Sequence, residues 1–275
     1  MADARIHQIF YDQKTRDALD PGFVPLDNLA NERPDWREYW PMREFLLGET
    51  LAEDCYYGFL SPKFRQKTGL GSEQVREFIE REAGGADVVL FSPFFDVAAL
   101  FFNVFEQGDH FHPGLLRASQ DFFDRIGLGV LVEEMVNDSR NTVFCNYFVA
   151  RPAFWARWLE VNEKLFEVAE GAPATDDLCA RLNAVARVRQ GGTVQMKVFV
   201  MERIATLILT MDKAFSSKAY DPFLLGASGT PYGRFPREAA MGDALKISCA
   251  ERNDPGSRDA FLEIRRRVEE AIRNG

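Results

Sequence analysis

The sequence predicts an α/β fold: one domain whose first half alternates strands with helices and whose second half is mainly helical. Three observations predict it. Up to about residue 150, short apolar runs bounded by Gly, Pro, Asn and Asp alternate with helix-period segments. Beyond that point the stretches with helical spacing lengthen. No internal repeat or low-complexity tract suggests a solenoid or propeller. With 275 residues, 46% of them hydrophobic and 27% charged, the chain has enough apolar side chains for a substantial core. Residues 1–150 form the α/β part of this scheme and 151–275 the helical part and tail.

The elements follow in order. Ile6 to Tyr11 has the apolar and aromatic character of a first strand, and Asp12-Gln13-Lys14 begins a short helical turn. Phe23 to Leu26 is a short strand ending at Asp27-Asn28. Tyr39 to Leu47 has helical spacing, and Thr50-Leu51-Ala52-Glu53 matches a capping box. Cys55 to Leu60 is a strand, followed by a lysine-bearing segment, Ser61 to Gly71, and a helix over 72–82. After Gly84-Gly85, Ala86 to Phe91 is the most apolar strand, suited to burial on both faces. Asp96 opens a helix through Phe105, Phe111 to Ile126 is helical after Pro113, and Thr142 to Val149 is a strand. Pro152 then starts a long helix with Phe154, Trp158, Val161, Leu165 and Val168 inward. Helices are predicted over 176–189 and from Gln195 to Met211. The tail from Tyr220 to Gly256 is rich in Gly, Pro and Ser, with a short strand at Leu245 to Cys249. Phe261, Ile264, Val268 and Ile272 stripe a final helix.

Charge and composition exclude several function classes. Thirty-three Lys and Arg against 42 Asp and Glu give a net charge of −9, which argues against a nucleic acid as the main partner. The four cysteines lie far apart with no CxxC pair, so a zinc ribbon or disulfide scaffold is not expected. No run reaches the roughly 18 apolar residues of a membrane span, and the start lacks a signal peptide's pattern, so a cytoplasmic location is expected. Phe outnumbers Tyr and Trp, 24 against 7 and 4, and Phe offers packing area without a polar handle.

Polar groups after the strands supply the site candidates. The densest cluster, NVFEQGDHFHPG, carries Asn103, Glu106, Gln107, Asp109, His110 and His112. Histidine there can transfer protons, meet phosphate or bind a metal, or simply end a helix in a solvated loop. The two histidines stand two positions apart, unlike the HExxH spacing of a zinc protease helix. Asp96, a few residues past the buried strand, suits either a divalent cation on nucleotide phosphates or a helix N-cap. Asn146 on an apolar strand needs a partner, a sugar hydroxyl or a loop carbonyl, and Tyr147 beside it is either a contact or core. Ser61, Lys63, Arg65 and Lys67 form a basic patch able to neutralise a diphosphate. Glu202-Arg203 interrupts an apolar helix, as a base or as an ion pair. No Walker, GxGxxG, GxSxG or HExxH segment occurs.

IHQIFYD, DVVLFSPFFD, CNYFVARPAFW and VFVMERIATLIL, in that order over residues 5–212, resemble bacterial glycosyltransferases of capsule, O-antigen and related surface-polysaccharide synthesis. The resemblance implies a GT-A-like, Rossmann-like nucleotide-binding domain. It implies a nucleotide-sugar bound at the strand ends, with Tyr11 and Asp12 near the base or ribose and Asp96 near the diphosphate; Lys63 of the basic patch and Asn146 and Tyr147 are the further binding candidates. The acceptor would be a glycan or lipid-linked glycan, met in the cytoplasm or at the inner face of the membrane by peripheral association. Glu106 and Glu202 are the candidate bases, with His110 a further catalytic candidate. No DxD follows the middle strand, so dependence on Mg2+ or Mn2+ stays open, with Asp96 and His112 the candidate ligands. Inversion and retention are both open. The alternatives are an inactive carbohydrate-binding or assembly subunit and a metal-dependent hydrolase using the histidine-rich loop.

Overall fold

A computed structural model describes residues 3–171, 173, 175–187, 192–252 and 254–275. Its centre is a six-stranded sheet in the order β2-β1-β3-β5-β4-β8. These strands are β1 (Asp3–Phe10), β2 (Val24–Asp27), β3 (Cys55–Leu60), β4 (Val88–Leu90), β5 (Phe148–Ala150) and β8 (Ser217–Ala219). β1 pairs in parallel with β2 and β3, and β4 pairs in parallel with β8. β5 runs antiparallel to both β3 and β4, with Gly58 and Val89 both opposite Val149. Five strands therefore end at one edge of the sheet, and β5 begins there.

Alternation along the strands sends side chains to two apolar layers. Tyr57 and Phe59 of β3 join Ile9, Leu90 and Phe148 in the larger layer. Tyr39 of α2 (Tyr39–Gly48) and Trp155 and Trp158 of α8 (Pro152–Gly171) close it. Tyr56 and Leu60 join Ile6, Val89 and Val149 on the other face. There they meet Phe64 of α3 (Phe64–Thr68) and Val75 and Ile79 of α4 (Ser72–Glu82). Polar ties lock the layers: Trp155 Nε1 donates to the Tyr57 carbonyl at 2.9 Å, and Asp20 accepts from the Ser72 N–H and hydroxyl at the start of α4. No helix among the described residues is long and apolar enough to cross a membrane.

The remaining elements depart from the sequence pattern where polar side chains or tertiary contacts intervene. Thr50 to Glu53 caps no helix, since it falls in the turn before β3. The helix expected from Asp96 to Phe105 divides into α5 (Phe95–Ala98) and α6 (Val104–Phe111), because the Asn103 side chain accepts from the Phe105 and Glu106 N–H groups and starts a new helix. α7 (Leu115–Arg125) begins only after Gly114. The strand expected over Thr142 to Val149 shrinks to β5, since Cys145 and Asn146 turn with φ of 59° and 53°. In place of a helix over 176–189, α9 (Asp177–Asn183) gives way to a hairpin of β6 (Val185–Arg187) and β7 (Thr193–Gln195), and residues 188 and 189 lie outside the described residues. The apolar run after it breaks at Glu202-Arg203 into α10 (Met196–Met201) and α11 (Ile204–Met211).

Leu245 to Cys249 is helical, within α12 (Pro236–Arg252). Ala239, Asp243 and Lys246 share one buried helical face there, and the Lys246 Nζ donates to the Ala98 and Phe101 carbonyls. α13 (Pro255–Asn274) packs along α12, with Phe261 and Val268 buried as its stripe predicts.

Within β1, His7 is wedged between the Phe45 and Phe59 rings, and neither ring nitrogen has a hydrogen-bond partner among the described residues. Burial, with a smaller contribution from Arg5, lowers its pKa to about 4 from 6.5. Below pH 6.5 the unfolded chain takes up a proton that the folded chain refuses until about pH 4, so stability falls as pH drops through that window. The full effect is at most about 3 kcal/mol. His7→Leu should flatten the decline of the urea midpoint between pH 6.5 and 4 relative to wild type.

Candidate functional site

The edge where the five parallel strands end opens into a cavity of about 1170 Å³, the position where ligands of open α/β sheets bind. Each strand's exit supplies part of its wall. Tyr11 follows β1, and Asn28, Asn31, Arg37 and Glu38 come from the connection after β2. Lys63 and Lys67 follow β3, Phe94 follows β4, and Phe144 and Cys145 lead into β5. The end of α6 adds His112, the helical half adds Val198, Phe199, Glu202 and Arg203, and Ser228 to Thr230 complete the rim.

Backbone strain gathers here. Among the described residues, the non-glycine positions with positive φ are Asn31, Arg37, Phe94, Cys145 and Asn146. The first four line the cavity, and the fifth adjoins Cys145. Such conformations cost roughly 1–3 kcal/mol each and persist where the surroundings enforce them, often at functional sites.

Lys63 precedes α3 and Lys67 stands four residues on, and both residues line the cavity. Lys67 Nζ donates to Cys145 Sγ at 3.2 Å and lies 5.5 Å from the centre of the Tyr147 ring. Burial lowers the lysine's pKa, but the negative forms of Cys145, Tyr147 and Glu202 outweigh it and the net shift is upward. Burial also pushes the Cys145 thiol up to about 11, against the pull of Lys67. At neutral pH the thiol is therefore protonated.

Glu202 sits where α10 breaks, one turn beyond Val198 on the same wall. No hydrogen bond from a described residue reaches its carboxylate. Burial raises its pKa, while Lys67 and Arg203 pull the other way. Arg203 is fully committed: it donates to the Val104 and Phe199 carbonyls at 2.8 and 2.7 Å and to Gln107 Oε1 at 3.2 Å. Gly108 makes room for it, since a Cβ there would stand 2.5 Å from the guanidinium. Burial lowers the pKa of Arg203 to about 10, which leaves it charged at neutral pH.

The structure brings Tyr11, Lys63, His112 and Glu202 together around the cavity. Tyr11 is partly exposed, and burial and Glu38 raise its hydroxyl pKa. The His112 ring stacks on Phe199, with centroids 3.9 Å apart. The other candidates lie elsewhere. Asp12 caps α1 (Gln13–Asp17) through Thr15 at 2.7 Å. Asp96 accepts from the Ser228 N–H and hydroxyl at 2.9 and 2.7 Å, so it anchors the rim from behind. Glu106 accepts from the Phe102 N–H and pairs with Arg265. His110 contacts the Phe101, Phe111 and Tyr232 rings. Tyr147 is buried and shares a hydrogen bond with Ser61, which places its ring beneath Lys67. Asn146 donates to Met201 Sδ at 3.0 Å while its buried Oδ1 has no partner among the described residues.

Among the described residues, no group of three or more His, Cys, Asp or Glu could hold a metal ion. Asp96 and His112 thus form no protein-built ligand set, and both Asp96 oxygens are occupied by Ser228. In the sequence Lys67 stands out only as part of a basic patch, and Cys145 only as one of four cysteines without a CxxC pair. The spacing of Lys63 and Lys67 was the available signal for the lysine pair; the left-handed turn that delivers Cys145 had none. A second cavity, of about 760 Å³, adjoins Ser217 and the α12–α13 turn, where Arg140 is committed to Asp138 and Glu251.

The rim depends on a close backbone approach. The Gly226 carbonyl accepts from the Phe94 N–H at 2.9 Å, and a Cβ on Gly226 would stand 2.0 Å from the Lys67 carbonyl oxygen. Gly226→Ala must therefore push residues 226–230 off α3 and should lower stability by about 1–3 kcal/mol in urea denaturation. Comparison with known protein families, with curated proteins and with solved structures finds no match to this chain.

Proposed function

We propose that the protein transfers a sugar from a nucleotide-sugar to a hydroxyl of a glycan or lipid-linked glycan, on a GT-A-like scaffold. The observation that carries this reading is the presence, in one cavity at the carboxyl edge of the sheet, of two lysines and a carboxylate that accepts no hydrogen bond from a described residue.

Glycosyl transfer makes two demands on a site. The departing nucleoside diphosphate must be stabilised as negative charge develops, and the acceptor hydroxyl must lose a proton. Lys63 and Lys67 meet the first demand by holding the diphosphate, with the fixed charge of Arg203 behind them. Tyr11 offers a ring face to the base, and Asn28, Asn31 and Arg37 offer polar groups to the base and ribose. Glu202 meets the second demand, accepting the proton as the acceptor oxygen attacks the anomeric carbon and the bond to the diphosphate breaks. Its raised pKa brings it closer to the value at which a carboxylate is an effective base near neutral pH. The His112–Phe199 stack and Val198 form an apolar wall beside it, suited to the C–H face of a sugar ring. No step of this scheme runs through a metal ion.

Two substitutions separate these roles. Lys67→Ala should weaken nucleoside diphosphate binding by about tenfold to a hundredfold, the range for loss of a charged hydrogen bond. A thermal-shift titration with a panel of nucleoside diphosphates measures it. Glu202→Gln should leave that affinity within a few-fold and cut transfer by about 10²- to 10⁴-fold. Absence of any nucleotide-dependent shift in the wild-type protein would overturn the proposal, whereas binding of glycans without nucleotide would favour the non-catalytic subunit.

A further inference from the structure

A buried lysine stands behind the part of the cavity assigned to the base and ribose. The Lys197 side chain of α10 is 2% exposed and does not line the cavity. Its Nζ donates to Asp35 Oδ2 at 2.8 Å and to Glu170 Oε1 at 2.9 Å, and it lies 4.5 Å from the centre of the Trp36 ring. Asp35 and Trp36 belong to a single helical turn, Pro34–Trp36, in the connection after β2, and Glu170 to the end of α8. Trp36 Nε1 donates to the same Glu170 oxygen at 2.9 Å. One ammonium therefore joins three segments far apart in the chain, and a charge so buried holds its partners in one arrangement because any other leaves it unpaired.

The residues beside these ties are the ones that line the cavity. Pro34, Arg37 and Glu38 flank Asp35 and Trp36, and Val198 and Phe199 follow Lys197. Arg37, held at a φ of 53°, donates to the Thr193 carbonyl at 3.1 Å, next to Val194, which also lines the cavity. The connection after β2 is thus fastened to the segment from β7 to α10 at two points. Lys63 and Lys67 have a different support. Their helix α3 rests through Phe64 on one face of the sheet, whereas Trp36, Val198 and Phe199 belong to the larger layer on the other.

We infer that Lys197 is a positioning residue for the nucleoside half of the donor: by tying Asp35 to α10 it fixes the wall that Arg37 and its neighbours present, and it leaves the diphosphate to the lysines of α3. The inference rests on the proposed sugar transfer for the nature of the ligand. Burial works to raise the Asp35 pKa, but hydrogen bonds from Arg33 and Lys197 outweigh it and bring it down to about 2 from 3.8, so the tie is intact at neutral pH. Arg33 reaches Asp35 and Glu170 at 2.9 and 2.8 Å. Loss of the Lys197 charge therefore leaves neither carboxylate without a cation: the connection stays joined to α8 and loses its ionic join to α10.

The experiment is calorimetric titration of the full chain, as wild type, Lys197→Met and Asp35→Asn, with inorganic diphosphate and with the adenosine, guanosine, cytidine, uridine and thymidine diphosphates. The nucleotide that binds wild type most tightly should bind both variants about tenfold more weakly, since a wall in place only about a tenth of the time lowers affinity by that factor. Inorganic diphosphate should keep its affinity within about twofold, as expected for a site that does not share the altered contact. Circular dichroism and thermal melts check that each variant is folded. Asp35→Asn, which leaves Lys197 on Glu170, decides the result if Lys197→Met does not fold, and unfolding of both would overturn the inference. Equal weakening of both ligands, or unchanged nucleotide binding by a folded variant, would overturn it and leave the proposed function standing. Failure of wild type to bind inorganic diphosphate would overturn the division of the ligand between two walls. Binding of no nucleoside diphosphate to wild type would overturn both the inference and the proposed function.

Discussion

The direction of one strand organises the site. β5 enters the sheet antiparallel, between two strands that run the other way. The chain leading into it must cross the edge where those neighbours leave. That geometry delivers Phe144 and Cys145 to the same opening as Lys63 and Lys67, which emerge from β3, and Phe94, which emerges from β4. A fully parallel strand in that place would send its incoming chain to the opposite edge. The left-handed turn at Cys145 and Asn146 is the local means by which the crossing segment doubles back into the sheet.

Around that crossing the wall is fastened by polar groups that do not face the cavity. Asp96 grips Ser228 through both carboxylate oxygens, and Ser61 fixes Tyr147 under the lysine. Ordered walls spare a ligand the cost of organising them on arrival, which is the advantage of a preformed site. Glu106 and His110 serve the scaffold in the same spirit, one tying α13 to α6 and the other filling the apolar contact between α6 and Tyr232.

Local patterns were legible in the sequence wherever the environment agreed with them. The strand at Cys55 to Leu60, the helix over 72–82 and the long helix from Pro152 follow from apolar spacing and flanking punctuation alone. What escaped depended on distant partners. Leu245 to Cys249 resembles a strand in isolation, but Lys246 reaches two carbonyls at Ala98 and Phe101 only from a helix. The break at Glu202-Arg203 was visible as charge in an apolar run, while its cause, the sockets that hold Arg203, lies about 100 positions earlier around Val104 and Gln107. Among the candidate residues, Tyr11, Lys63 and Lys67 after strands and Glu202 and Arg203 at the helix break reached the cavity. Asp96, Glu106 and His110 did not, because their oxygens and rings hold neighbouring segments, whereas Gln107 of α6 does line it.

Arg203 has a consequence for what this protein can evolve to hold. Its positive charge is stitched into main-chain carbonyls and so cannot swing out to follow a ligand or be withdrawn by one. It behaves as a permanent electrostatic floor, present whatever occupies the space above it. Changes in the rim could alter which molecule is admitted, yet every such molecule would meet the same built-in preference for negative charge at depth.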